Sequence, residues 1–149
     1  DGTVRGYTDT NEGVYFQYPY TWGESYSFTN DDGSLTNALN DEAGTQAIYA
    51  DVYLETDALS ALEFALEGID GEISEITETT FGGLPAYQAA YLITGDEGST
   101  TALVISLANE PAASVVVLTF AGNGDGVEPD SDVINWVDAT LTFFPPLLD

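Results

Sequence analysis

Carboxylates are the only abundant side chains in this sequence that could carry chemistry. The 149 residues include 26 Asp and Glu, a single Lys or Arg and no His, so the formal net charge is −25 at pH 7. The absence of His and Cys excludes a Ser–His pair, a thiolate nucleophile and a zinc site, and the absence of Lys excludes a Schiff base. Acid–base catalysis by two carboxylates is the enzyme class that remains, and no spacing in the sequence singles out such a pair. We therefore expect a protein that is not an enzyme.

Two acidic loops, residues 30–42 and 122–130, carry the residue types that bind calcium. Ca²⁺ takes roughly six to eight oxygen ligands, which Asp, Asn and main-chain carbonyls in turns can supply. The first loop fails the EF-hand pattern, because with Gly33 as the invariant glycine the first and last ligand positions fall on Phe28 and Leu39. The second loop occurs once, without the repeat of calcium-binding β-roll proteins. Turn formation alone also accounts for both loops, so a weak surface site for calcium, the one cofactor expected, and a plain turn stay as alternatives. The candidate ligands are Asp31, Asp32, Asp41, Asn123, Asp125, Glu128 and Asp130.

An aromatic stretch between residues 15 and 28 is the second candidate site. Tyr and Trp combine a large contact area with a polar tip, so exposed members on one face could bind a protein partner or stack on a sugar. Strand alternation would instead bury half of the aromatic side chains in the core. Both interpretations stay open at this point. The residues predicted to contact a ligand or partner are Tyr15, Tyr18, Tyr20, Trp22 and Tyr26.

The net charge also limits which partners the chain can meet. Phosphates and anionic lipid headgroups would be repelled, which excludes nucleic acids and anionic membrane surfaces as partners. No apolar run approaches the roughly 18 residues of a membrane-spanning helix, and Asp1 in place of Met indicates a mature or trimmed form. A surface with many acids and almost no cations is typical of an exported protein. We expect an extracellular or cell-envelope location, secreted or lipid-anchored, in a setting rich in salt or calcium.

The elements that would position these residues follow from hydrophobic periodicity. Residues 29–44 form the longest polar stretch, with a turn of helix predicted at residues 35–39. Residues 46–55 alternate between an aliphatic and a mixed face, which predicts a central strand. Residues 113–120 are the most apolar and β-branched, which predicts a buried strand. The further strands are predicted at residues 4–8, 14–18, 72–81, 86–94 and 100–107.

Two helices complete the predicted pattern. The first begins after a cap at Thr56 or Asp57, and the second begins near Pro129. The two buried stripes are Leu59, Leu62, Leu66 and Ile69 in the first helix, and Val133, Ile134, Val137 and Leu141 in the second. The sequence therefore predicts a single α+β domain over residues 1–149, an antiparallel sheet flanked by helices.

Three segments, taken together, resemble the PsbP-like family. The first runs from Tyr7 to Trp22 and contains Phe16, Pro19 and Trp22 in the spacing of the family's opening strand pair. The second, residues 80–87, contains a Gly-Leu-Pro-Ala turn between two strands, and the third, residues 133–143, is similar to the closing helix. The resemblance implies an antiparallel sheet flanked by helices and no shared catalytic residues.

Members of that family have diverged in function. They include an extrinsic subunit of photosystem II, a branch that binds the small GTPase Ran, and exported bacterial domains. The absence of Lys and His departs from the photosynthetic branch, where docking uses basic residues. The resemblance thus implies an exported domain that binds a protein partner or small ligand. The alternative is a subunit of a surface layer or filament that self-associates when calcium bridges its acidic faces.

Overall fold

Two antiparallel β-sheets and two α-helices make up the described part of the computed structural model, which comprises residues 4–9, 12–19, 21–22, 26–30, 35–95 and 98–145. The α+β class predicted from the sequence is confirmed. A 3-10 turn at Glu110–Ala112 follows β9. The elements in chain order are β1 (Val4–Asp9), β2 (Val14–Pro19), β3 (Tyr26–Thr29), β4 (Leu35–Asn40), β5 (Gln46–Leu54), α1 (Ala58–Glu67), β6 (Glu72–Ile73), β7 (Thr77–Phe81), β8 (Leu84–Gly95), β9 (Gly98–Asn109), β10 (Ser114–Asn123), α2 (Ser131–Thr140) and β11 (Thr142–Phe143).

The larger sheet has eight strands in the order β3-β4-β5-β10-β9-β8-β6, and β7 also pairs with β8. The smaller sheet has the order β1-β2-β11. β10 lies at the centre of the larger sheet and pairs along its length with β5 and β9. Its side chains are buried on both faces, as its apolar and β-branched composition predicts. β5 lies between β4 and β10, which confirms the predicted central strand.

The helical turn predicted at residues 35–39 is wrong, because this segment belongs to strand β4. β4 pairs with β3 on one side and β5 on the other, so its backbone polar groups are satisfied on both edges. Ala38 and Leu39 are 0% and 1% exposed on opposite faces. A strand between two others places these neighbouring side chains on opposite faces of the sheet, where both are covered.

Both helices begin where the sequence predicts. The carboxylate of Asp57 accepts a hydrogen bond from the Ser60 N–H at 2.8 Å and caps α1, and Asp130 caps α2 in the same way. The buried side of α1 consists of Ala61, Leu62 and Leu66. Leu59 was expected in this stripe but is 37% exposed, so the helix is rotated relative to the prediction.

Each face of the larger sheet has a different cover. We call the side that carries Leu39, Ile48 and Leu118 the inner face; it packs against the smaller sheet and α2 in the main core. The opposite side, with Tyr49, Val104 and Val117, is called the outer face; α1 packs there mainly against β8, β9 and β10. β3 and β4 therefore continue the sheet beyond α1.

Candidate ligand-binding cavity

The predicted aromatic residues divide between the core and the surface. Tyr18 and Trp22 are only 3% and 6% exposed and belong to the main core, so the prediction that they contact a partner is corrected. The reason is strand alternation in β2, which points every second side chain inward. Tyr15 is half-buried and its hydroxyl accepts a hydrogen bond from Gln17 Nε2 at 2.9 Å. Tyr26 is 50% exposed, and Tyr20 lies outside the described residues.

The turn between β4 and β5, which contains Asp41 of the first acidic loop, meets the second acidic loop at one end of the larger sheet, although the two are far apart in the sequence. The Asn123 backbone N–H donates to the Thr45 carbonyl at 2.8 Å, and the Asn123 side-chain amide donates to the Gly44 carbonyl at 3.2 Å. Gln46 joins the loops a second time, because its side chain donates to the Glu128 carbonyl and accepts from the backbone N–H of Asp130.

The carboxylates of these loops accept local hydrogen bonds. Asp41 accepts from the Thr45 hydroxyl at 2.7 Å and the Gln46 N–H at 3.0 Å; burial acts to raise its pKa, but these hydrogen bonds outweigh burial and lower the pKa below its usual value. Asp125 accepts from Ser99, and Asp130 caps α2. In the described ranges no group of three or more acidic side chains could hold a metal ion, so turn formation is the interpretation that the geometry favours. Asp31 and Asp32 lie outside those ranges.

A cavity of about 790 Å³ opens on the outer face between β5 and the C-terminal half of α1. It lies beside the edge of α1, where the helix no longer covers the sheet. Its volume falls within the usual range for small-molecule sites, about 300 to 1,000 Å³. The residues that line it are Asn30, Thr36, Asp51, Val52, Tyr53, Leu54, Phe64, Ala65, Glu67 and Gly68.

One wall of this cavity is polar and is built from three neighbouring strands. Asn30 follows β3, and its amide donates to the Thr36 hydroxyl of β4 at 2.9 Å. That hydroxyl donates in turn to the carboxylate of Asp51 on β5, its cross-strand neighbour. Thr36 is only 5% exposed. The chain of hydrogen bonds fixes the orientation of Thr36 and holds the Asp51 carboxylate at the cavity.

The remaining wall is largely apolar. Leu54 at the end of β5 is 68% exposed, and Phe64 on α1 is 57% exposed. The rings of Phe64 and Tyr53 meet edge to face, with centroids 5.8 Å apart and an interplanar angle of 78°. Glu67 lies one helical turn after Phe64 and adds a second carboxylate to the lining. The cavity thus combines exposed apolar area with two acids.

A row of aromatic side chains continues the outer face beside the cavity. Tyr26 and Phe28 project from the same side of β3 and are 50% and 42% exposed. The Phe28 and Tyr49 rings meet edge to face with centroids 6.4 Å apart. Burial is the main cause that raises the pKa of Tyr49 and of Tyr91. The charge of a neighbouring tyrosinate raises each pKa further, Tyr26 for Tyr49 and Tyr49 for Tyr91. These tyrosines are therefore neutral donors at physiological pH.

A second cavity, of about 670 Å³, lies where β8 begins and β9 ends. Leu84, Pro85, Pro111 and Phe143 contribute most of its apolar lining. Among the described residues that line it, no chain of side-chain hydrogen bonds crosses between strands as the chain from Asn30 through Thr36 to Asp51 does in the first cavity.

Sequence reasoning missed the main components of the first cavity. The sequence pattern places Asp51 only on the mixed face of a strand, and it places Thr36 in the helical turn predicted at residues 35–39. Phe64 offered a usable signal, because it lies outside the apolar stripe of its own helix. An aromatic residue on the polar side of an amphipathic helix is a reason to look for a binding surface.

The fold has relatives among solved structures. A protein of Bacteroides thetaiotaomicron VPI-5482 superposes with a TM-score of 0.63 and 13% identity, over 95% of this chain and 48% of that one. This chain therefore spans about half the length of the Bacteroides protein. LpqN, involved in cell envelope biogenesis of Mycobacterium tuberculosis, superposes with a TM-score of 0.55 and 16% identity, over 89% of this chain and 83% of LpqN. At these identities the likeness concerns the fold.

The sequence matches neither a family model nor a curated protein. Within the described ranges, no helix has the length and hydropathy needed to cross a membrane.

Proposed function

We propose that this chain is an exported, non-enzymatic domain of PsbP-like type that binds a ligand or partner at the cavity between β5 and α1. One observation carries the proposal. The Phe64 side chain is 57% exposed and meets the Tyr53 ring beside a polar wall in which Thr36 is buried and hydrogen-bonded. Such a combination supplies both affinity and orientation to a bound molecule.

The exposed apolar area gives the proposal its energetic basis. Covering apolar surface contributes about 25 cal/mol per Å². Phe64 is 57% exposed, although its neighbours on the helix and the outer face of the sheet pack against one another. A ligand that covers the Phe64 ring would gain this free energy.

The envelope location is supported by the fold and the composition. LpqN, a structural neighbour, is a protein of cell envelope biogenesis. A chain with 26 acids and one basic residue is suited to a compartment where cations are plentiful. The missing His, Cys and Lys support a binding role rather than catalysis.

The experiment is a titration of ¹⁵N-labelled protein with 2-phenylethanol, a neutral aromatic probe, followed by two-dimensional NMR. We expect chemical shift changes concentrated at the amides of Thr36, of residues 51–54 and of residues 64–68. Phe64→Ala should weaken binding about fivefold or more, because the ring supplies apolar contact area.

Leu59→Ala is the matched control, since Leu59 is an exposed apolar residue of the same helix outside the cavity. Its affinity for the probe should equal that of the wild type. Shift changes centred on the second cavity, or equal effects of the two substitutions, would contradict the proposal.

A further inference from the structure

We propose that the cavity between β5 and α1 selects a ligand with a cationic head, an ammonium or guanidinium group, on an apolar body. This inference rests on the proposed function and names its ligand class. Asp51 and Glu67 both line the cavity, and the lining residues that the structure describes include no basic side chain. The ligand therefore meets negative charge at two points and apolar surface between them.

The position of Asp51 makes it the specific contact. The Thr36 hydroxyl donates to Asp51 Oδ1, and Thr36 itself is oriented by Asn30, so the carboxylate is held in place before a ligand arrives. A carboxylate can accept hydrogen bonds at both oxygens, and charge-assisted bonds from an ammonium or guanidinium group are stronger than neutral ones. Preorganisation reduces the entropy lost on binding.

The aromatic side of the cavity fits the same chemistry. Tyr53 and Phe64 contact each other edge to face, and both line the cavity. Aromatic faces attract cations within about 6 Å of the ring centroid, and they also pack against alkyl or aryl chains. One wall thus favours the cation by charge, while the other accepts either the cation or the apolar body.

The net charge of the whole chain also favours a cationic ligand. With a net charge of −25, the surface attracts cationic molecules from a distance and repels anions. A second copy of the chain would bring the same negative charge, so self-association at this site is disfavoured. Salt screens the long-range part of the attraction but reduces a contact inside the cavity much less.

Three probes of nearly equal shape test the inference on the wild-type protein. They are phenethylamine, which is a cation at neutral pH, 2-phenylethanol, which is neutral, and phenylacetate, an anion. At physiological ionic strength we expect phenethylamine to bind about tenfold more tightly than 2-phenylethanol, and phenylacetate to show no binding. The readout is the NMR titration of the amides at residues 36, 51–54 and 64–68.

Two substitutions that remove one negative charge separate a specific contact from general attraction. Asp51→Asn keeps an oxygen that can accept from Thr36 but loses the charge, and it should abolish most of the preference for phenethylamine. Glu63→Gln removes an exposed charge on α1 outside the cavity lining and should change the affinity less than about twofold. Equal effects of the two substitutions would overturn the inference in favour of general attraction.

The outcomes also separate this inference from the proposed function. If 2-phenylethanol and phenethylamine bind in the cavity equally well, the cavity is a binding site but the preference for a cation is wrong. If no probe shifts the cavity amides, both proposals fail. The comparison of probes needs no substitution, so it stands even if Asp51→Asn does not fold.

A final arm distinguishes the two sources of such a cation. A capped tetrapeptide with one Lys beside one Phe presents the head and body on a protein chain. Tighter binding of the peptide than of phenethylamine would assign the site to a side chain of a partner protein. Tighter binding of the free amine would assign it to a small molecule.

Discussion

The two faces of the larger sheet are built from the same strands, yet one is closed and the other is partly open. β5 places Ile48, which is 0% exposed, on the inner face and the half-buried Tyr49 on the outer face. The inner face is covered by a second sheet and by α2. The outer face is covered by α1 alone among the described elements, over β8, β9 and β10.

Simple dimensions account for the difference. The successive strand positions from β3 to β6, spaced by about 4.8 Å, give a sheet roughly 29 Å wide. A helix with its side chains is about 10 Å across, so one helix cannot cover that width. The strands beyond α1 carry aromatic side chains that cover small alanines such as Ala38 and Ala47. The closed face stabilises the fold, and the open face holds the cavity for which we propose a binding function.

Truncating one side chain on each face should give the largest difference in stability between the two faces. Leu118→Ala on the inner face should lower the free energy of unfolding by about 3 kcal/mol, because Leu118 is 0% exposed and a cavity would remain. Tyr26→Ala on the outer face should lower it by no more than about 1 kcal/mol, because Tyr26 is already 50% exposed. Urea denaturation at fixed salt measures both. Similar losses would show that the outer face is as closed as the inner one.

High pH should destabilise the protein, because buried tyrosines in the main core and on the outer face of the larger sheet would lose their protons. Burial, and next the adjacent Asp9, raise the pKa of Tyr7 above its ordinary value, and burial also raises the pKa of Tyr49 and Tyr91. A raised pKa in the folded state means that the stabilisation is complete below the unfolded value of about 10 and is lost as the pH rises through the folded value. The chain has no Lys or Cys to titrate in this range, so absorbance of tyrosinate reports the nine tyrosines directly.

We expect the unfolding midpoint temperature to fall above pH of about 10. Tyr7→Phe, on β1 in the main core, should flatten this fall more than Tyr91→Phe on the outer face of the larger sheet. If Tyr91→Phe flattens the fall more than Tyr7→Phe does, the conclusion that Tyr7 has the more strongly raised pKa is wrong.

Two buried serines offer a smaller test of how α1 is fixed to the outer face. The Ser106 hydroxyl is buried and donates to the Ala58 carbonyl at the start of α1 at 2.7 Å. Ser106→Ala should cost about 1 kcal/mol, because the carbonyl loses its donor. The Ser114 hydroxyl is buried without a hydrogen-bond partner among the described residues, so Ser114→Ala should be neutral or slightly stabilising. Equal losses in thermal unfolding would contradict this account of the helix contact.

Calcium should produce the smallest effect, at the rim where the two acidic loops meet. Because the Asp41, Asp125 and Asp130 carboxylates already accept hydrogen bonds within turns and caps, millimolar calcium should raise the unfolding midpoint no more than sodium chloride of equal ionic strength. Thermal unfolding with light scattering, and with a chelator control, measures this. A calcium effect well beyond that of sodium would instead favour a specific site or assembly through calcium, and would direct attention to Asp31 and Asp32.

Much of the fold could be predicted because it depends on local patterns. The alternation in residues 46–55, the apolar run at 113–120 and the caps Asp57 and Asp130 each identify an element within a few residues of its observed bounds. The prediction of a helical turn at residues 35–39 is wrong. The strand conformation of this segment depends on pairing with β3 and β5, which no local pattern reveals.

The sequence by itself determined the charge, the missing catalytic residue types and the α+β class, since composition and periodicity are properties of the chain alone. Only the tertiary structure decided which aromatic residues are exposed and which carboxylate belongs to a cavity. Tyr18 and Tyr26 look alike in the sequence, but they are 3% and 50% exposed because one lies between two layers and the other on an edge strand. Asp51 meets Thr36 and Phe64 at one cavity through strand pairing and helix packing, and these long-range contacts join residues that no spacing along the chain connects.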